Sequence, residues 1–145
     1  MPPIVPYRLQ YPISALMFHR YSTDVVGGAV GSTHQASQDF AYYSEQAGAL
    51  NGDTFVHPFY LAAGAYTLNI LGVKVNNAGK VDWYIDNVLV LAGTDWYSGV
   101  AAYNVIVTQA VAVVGNGRHT LKGVVNGQNV ASGGYRATLT AMYIG

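Results

Sequence analysis

The chain has 145 residues, enough for one domain that buries roughly 70% of the surface its unfolded chain would expose. It contains no cysteine, which excludes disulfides, thiolate metal sites and cysteine nucleophiles, and its seven basic and seven acidic residues cancel, so neither nucleic acid nor a membrane surface is an expected partner. Only 10% of residues are charged, 51% are hydrophobic and 12 are tyrosines, against a typical charged share of about 25%; that balance predicts an exterior given over to protein interface, the alternative being a monomer with a neutral polar surface.

Residues 1–12 hold Pro2, Pro3, Pro6 and Pro12 among Ile4, Val5, Tyr7, Leu9 and Tyr11. Proline fixes φ and removes sheet donors, so this stretch reads as an extended apolar arm, laid on a neighbouring subunit or packed on its own domain. The same prolines interrupt a signal-peptide core or a spanning helix, and no standard signal peptide is expected. Residues 13–145 are assigned to a single domain. Ser14–Tyr21 has strand character; the Gly/Ser/Thr-rich run that follows predicts a long excursion with one or two short strands. A helical turn around Gln38–Gln46 is the competing reading there, from the spacing of Phe40, Tyr43 and Ala47.

After Asn51-Gly52-Asp53 the pattern becomes regular. Thr54–Ala62 and Ala65–Val73, joined by Ala63-Gly64, predict a hairpin. Lys80–Ile85 and Val88–Leu91 flank Asp86-Asn87, which suits a type I′ turn pairing Ile85 with Val88, Tyr84 with Leu89, Trp83 with Val90 and Asp82 with Leu91. Tyr103–Val114 and His119–Asn126 predict another hairpin through Gly115-Asn116-Gly117. Gln128–Gly134 is a glycine-rich connection and Tyr135–Ile144 a last strand. These strands without a long amphipathic helix predict an all-β fold, an antiparallel β-sandwich or jelly roll with an extended N-terminal arm. Alternation places Leu139 and Tyr143 opposite Met142 and Ile144, leaving an apolar face for a partner or a covering loop.

Asp-Trp-Tyr occurs twice, from Asp82 and from Asp95. Trp83 with its β-branched cross-strand neighbours reads as core, and Asp82 as an acceptor for backbone amides, Arg118 or His119. Asp95 is placed to bond local backbone and Trp96 to cap the sandwich end. Structural aromatics are the first reading of Trp83, Tyr84, Trp96 and Tyr97; a solvent-exposed carbohydrate platform near Trp96 and Tyr97 is the second.

AGAYTLNILGV, VDWYIDNVLV, TDWYSG and GNGRHTLKGVVNGQNVASGGYRATLTAMYIG, in that order over Thr54–Gly145, resemble the jelly-roll module that recurs in tailed-bacteriophage virion proteins. The resemblance departs at Asp86-Asn87, where such modules commonly carry Asp-Gly. With the arm and the Tyr-rich composition, it implies a small capsid decoration, or cement, protein. Such a protein is made in the host cytoplasm, trimerises on the capsid exterior and bridges copies of the major capsid protein. Ile4, Val5, Tyr7, Leu9 and Tyr11 would anchor the arm, while Trp83 and Trp96 hold the module. The alternative is a phage tail or fibre module that binds host-surface carbohydrate.

The sequence holds no convincing chemistry. His19, His34, His57 and His119 lack HxH or HExxH spacing, and there is no GxSxG elbow. Asp82 and Asp95 are not positioned as a glycosidase pair, and Asp82, Asp86 and Asp95 are too scattered for a calcium loop. Val25–Ser32 lacks the Gly-Lys-Ser/Thr ending of a phosphate loop. No enzyme activity, cofactor or metal is expected.

Overall fold

In the computed structural model the described residues are 13–14, 24–26, 29–33, 43–47 and 50–145. The arm residues Ile4, Val5, Tyr7, Leu9 and Tyr11 lie outside them, as does most of the expected Ser14–Tyr21 strand. Eleven strands are described: β1 (Ile13–Ser14), β2 (Asp24–Val26), β3 (Ala29–Thr33), β4 (Tyr43–Ala47), β5 (Thr54–Leu61), β6 (Gly64–Lys74), β7 (Gly79–Ile85), β8 (Val88–Asp95), β9 (Ala102–Val113), β10 (Gly117–Gln128) and β11 (Ala137–Ile144). Two antiparallel sheets result, one ordered β3-β4-β11-β6-β9 with β1 also on β11, the other β2-β5-β10-β7-β8. The all-β sandwich follows the sequence pattern, and β4 occupies the end of the segment whose spacing also suited a helical turn.

Two expected hairpins are absent. The β5–β6 and β9–β10 connections each cross from one sheet to the other: β5 pairs with β2 and β10, while β6 pairs with β9 and β11. Gly and Asn turns serve a crossover as well as a hairpin, and packing of each strand's inner face against the opposite sheet decides between them. The β7–β8 hairpin forms on Asp86 (φ 49°) and Asn87 (φ 64°), the positive pair a type I′ turn requires. Ile85 meets Val88 and Tyr84 meets Leu89 as expected, after which the register shifts and Trp83 opposes Leu91 in place of Val90.

The core lies between the sheets. Along β7, Val81, Trp83 and Ile85 point inward and meet Leu68 and Ile70 of β6, Leu121 of β10 and Trp96. Both tryptophans are wholly buried. Leu139, Met142 and Ile144 all reach this core, contrary to the simple alternation expected of the last strand. An irregularity between Leu139 and Ala141 advances the strand by one residue, so positions three apart share a face.

Candidate functional site

A cleft of about 370 Å³ opens where the β6–β7 turn meets the β10–β11 loop, within the range of small-ligand pockets. Its floor is backbone packed on backbone. Gly133 N–H donates to Asn76 O (3.0 Å), Arg136 N–H to Asn77 O (3.0 Å) and Gly79 N–H to Arg136 O (2.9 Å). The buried Ser132 hydroxyl donates to Ala78 O at 2.7 Å and accepts from Gly134 N–H at 3.3 Å. A Cβ at Gly79 would lie 3.0 Å from the Tyr135 backbone, and one at Gly134 3.1 Å from Asn77 O. A side chain at either position would force the facing backbone to give by a few tenths of an ångström.

The second Asp-Trp-Tyr braces this floor. Trp96 N–H donates to Gly79 O (3.2 Å) and Trp96 O accepts from Val75 N–H (3.1 Å), so the buried tryptophan grips both ends of the turn. Asp95 accepts from Tyr97 N–H and from the Asn129 amide, both at 2.9 Å, tying the end of β8 to the start of the β10–β11 loop. Burial pushes the Asp95 carboxyl up, but the Asn129 and Tyr97 hydrogen bonds, with Lys80 and Lys74 nearby, outweigh it and hold the group below its usual range.

Side chains of mixed character line the cleft. Tyr135 and Leu50 are aromatic and apolar, while Asn77, Gln128 and Arg136 carry amide and guanidinium groups. Gln128 is oriented by donating its amide to Ser132 O at 3.0 Å. Leu50, 65% exposed, is fixed through its N–H to the Asp53 carboxylate at 2.7 Å. The lining contains no carboxylate. Amides and a guanidinium hydrogen-bond hydroxyl groups, and a phenol ring packs on C–H surface, so the set suits a polyhydroxylated ligand.

The residues singled out from sequence occupy other roles. Trp83 and Trp96 are in the core, and no aromatic platform is exposed at Trp96. Tyr84, half-buried on the outer face, carries the Lys122 ammonium 4.8 Å from its ring centre. Tyr97 is half-buried beside the brace. Asp82 accepts from Gly93 N–H (2.5 Å) and the Asn126 amide (2.6 Å), where Arg118 and His119 were the other expected donors. His119 instead meets Asp86 at 2.7 Å through Nδ1. Burial raises the Asp86 pKa, and hydrogen bonds from His119 and Thr120 with the His119 charge reverse this to a net lowering. Among the described residues no three His, Asp or Glu side chains gather as metal ligands. Sequence reasoning did not single out Asn77, Gln128, Tyr135 and Arg136; their only local signal is Gly133-Gly134.

No family model and no curated protein matches the chain. Solved structures do. A Paenibacillus xanthan lyase is similar over 86% of this chain, with TM-score 0.74 and 15% identity, the chain spanning 13% of that enzyme. A family 35 carbohydrate-binding module from Clostridium thermocellum has TM-score 0.61 and 11% identity. A family 6 carbohydrate-binding module from Clostridium cellulolyticum, in complex with xylose, has TM-score 0.56 and 16% identity. Each module is matched over 93% of this chain and 96% of its own length. At these identities the likeness establishes the jelly-roll β-sandwich.

Proposed function

We propose that this protein is a non-catalytic carbohydrate-binding module whose ligand occupies the cleft between the β6–β7 turn and the β10–β11 loop. The observation that carries the reading is that one cleft gathers Tyr135 with Asn77, Gln128 and Arg136 over a glycine-backed floor. Similarity to whole carbohydrate-binding modules supports it. Isothermal titration against a panel of neutral and acidic oligosaccharides tests it: at least one class binds, and Tyr135→Ala weakens that binding about tenfold or more, a loss of about 1.4 kcal/mol. Binding that is unchanged in both Tyr135→Ala and Asn77→Ala overturns the placement. Given the resemblance to phage virion modules, the setting is a tail or fibre part that engages host-surface glycan.

A capsid decoration protein that trimerises on the outer shell and bridges coat subunits is the second reading. The low charged share of 10% favours it, because a surface with so little charge suits coverage by protein. Co-sedimentation with purified capsids tests it. Loss of binding on deletion of residues 1–12 is the expected result, and unchanged occupancy removes the arm from the account.

A further inference from the structure

From the edge of the first sheet we infer that two copies of this chain join through β9, antiparallel and centred on Gln109, forming one continuous sheet. This goes beyond the cleft and does not rest on its ligand. Among the described residues β9 pairs only with β6. Thr67 of β6 exchanges both its backbone hydrogen bonds with Gly145, at 2.8 and 3.1 Å, so it has none for its cross-strand partner Ala110. The Ala110 N–H and C=O therefore point away from β6. By the period of two, those of Ile106, Thr108 and Ala112 do likewise. Gln109 folds its own amide onto Ala110 O at 3.0 Å, a local partner on an edge that no other described strand reaches.

Sheet edges are normally protected by charge, proline or distortion. The far edge of the second sheet, β8, is protected: its pairing with β7 has two register shifts, Gly93 takes φ +62° and its N–H is taken by Asp82. On β9 a positive φ at Asn104 and a register shift disturb the first residues only. Val105–Val113 is then regular and lacks proline and glycine. No charged residue occurs between Asp95 and Arg118. Ile106 is 62% exposed.

The strand fits a second copy of itself. Centring on Gln109 sets Ile106 against Ala112 and Thr108 against Ala110, so every outward-pointing backbone group finds a partner. On the inner face Val105 meets Val113 and Val107 meets Val111, extending the apolar layer across the two-fold axis. The two Gln109 amides face each other there. No charge is buried, and the net charge of zero sets up no repulsion between copies.

Sedimentation of the full chain over a broad concentration range should give the mass of two chains. Gln109→Lys places like charges at the axis and Ile106→Lys charges the exposed flank; each should raise the dissociation constant about tenfold or more while far-UV circular dichroism stays unchanged. Because the chain has no cysteine, Gln109→Cys gives an independent reading. Residues facing across a non-hydrogen-bonded pair lie about 4.5 Å apart at Cα, within disulfide range. Mild oxidation should then yield a covalent dimer that a Val130→Cys variant does not. A parent that stays monomeric, a mass of three chains, or a Gln109→Cys variant that crosslinks no better than Val130→Cys overturns the inference.

Discussion

At the scale of single residues, the acidic groups act as joints. Among Asp53, Asp82, Asp86 and Asp95, each accepts at least one backbone N–H. Replacing Asp82 by Ala leaves the Gly93 N–H and the Asn126 amide without their acceptor, and should cost about 1–3 kcal/mol in urea unfolding. Acid should weaken the fold in two stages. Burial lowers the His57 pKa, so the folded state resists a proton that the unfolded chain accepts, and stability falls as pH drops below about 6.5. Asp86 and Asp95 have lowered values; their contribution is complete above the unfolded value of about 3.9 and is lost as pH falls through the lower folded values. Urea midpoints across pH should show both stages, with Asp95→Asn flattening the lower one.

At the scale of elements, the connections decide what the residues can do. Asp86-Asn87 was readable because a type I′ turn demands positive φ at both positions and few residue pairs supply it. Ala63-Gly64 and Gly115-Asn116-Gly117 were misread because the same turn chemistry passes a chain between sheets, a choice made by distant packing. The β11 irregularity was invisible for the same reason: Leu139 and Met142 share the core through a register shift that leaves no mark in the alternation. The cleft was hidden because its side chains come from turns some fifty residues apart (Asn77 to Gln128 and Tyr135). The backbone contact at Gly79 is the element to test. Gly79→Ala should push the Tyr135 segment outward, reducing affinity for the proposed saccharide ligand more than global stability. Titration beside thermal unfolding reads the difference, and equal damage to both would remove the special role given to that contact.

At the scale of the whole molecule, the two crossovers force each sheet to assemble from strands remote in sequence. β5 must find β10, and β6 must find β11, before either sheet has a closed interior. Non-local pairing of this kind makes folding slow, on the order of milliseconds to seconds. Trp83 and Trp96 are both fully buried, so stopped-flow tryptophan fluorescence should resolve that phase directly. A dominant microsecond phase would mean that local hairpins carry the fold. Replacing Trp83 by Ala should cost about 3–5 kcal/mol, since the void cannot be filled from a single sheet.

The mutual bonds between Thr67 and Gly145 also fix the molecule's polarity. β11 leaves the cleft beside Arg136 and runs eight residues, about 26 Å at 3.3 Å per residue, to the opposite pole. A biotin or a linker fused after Gly145 would hold the protein to a bead or sensor chip with its mouth turned outward. Immobilisation there should therefore leave the cleft open to the ligand proposed for it, giving an assay orientation that needs no trial of alternatives.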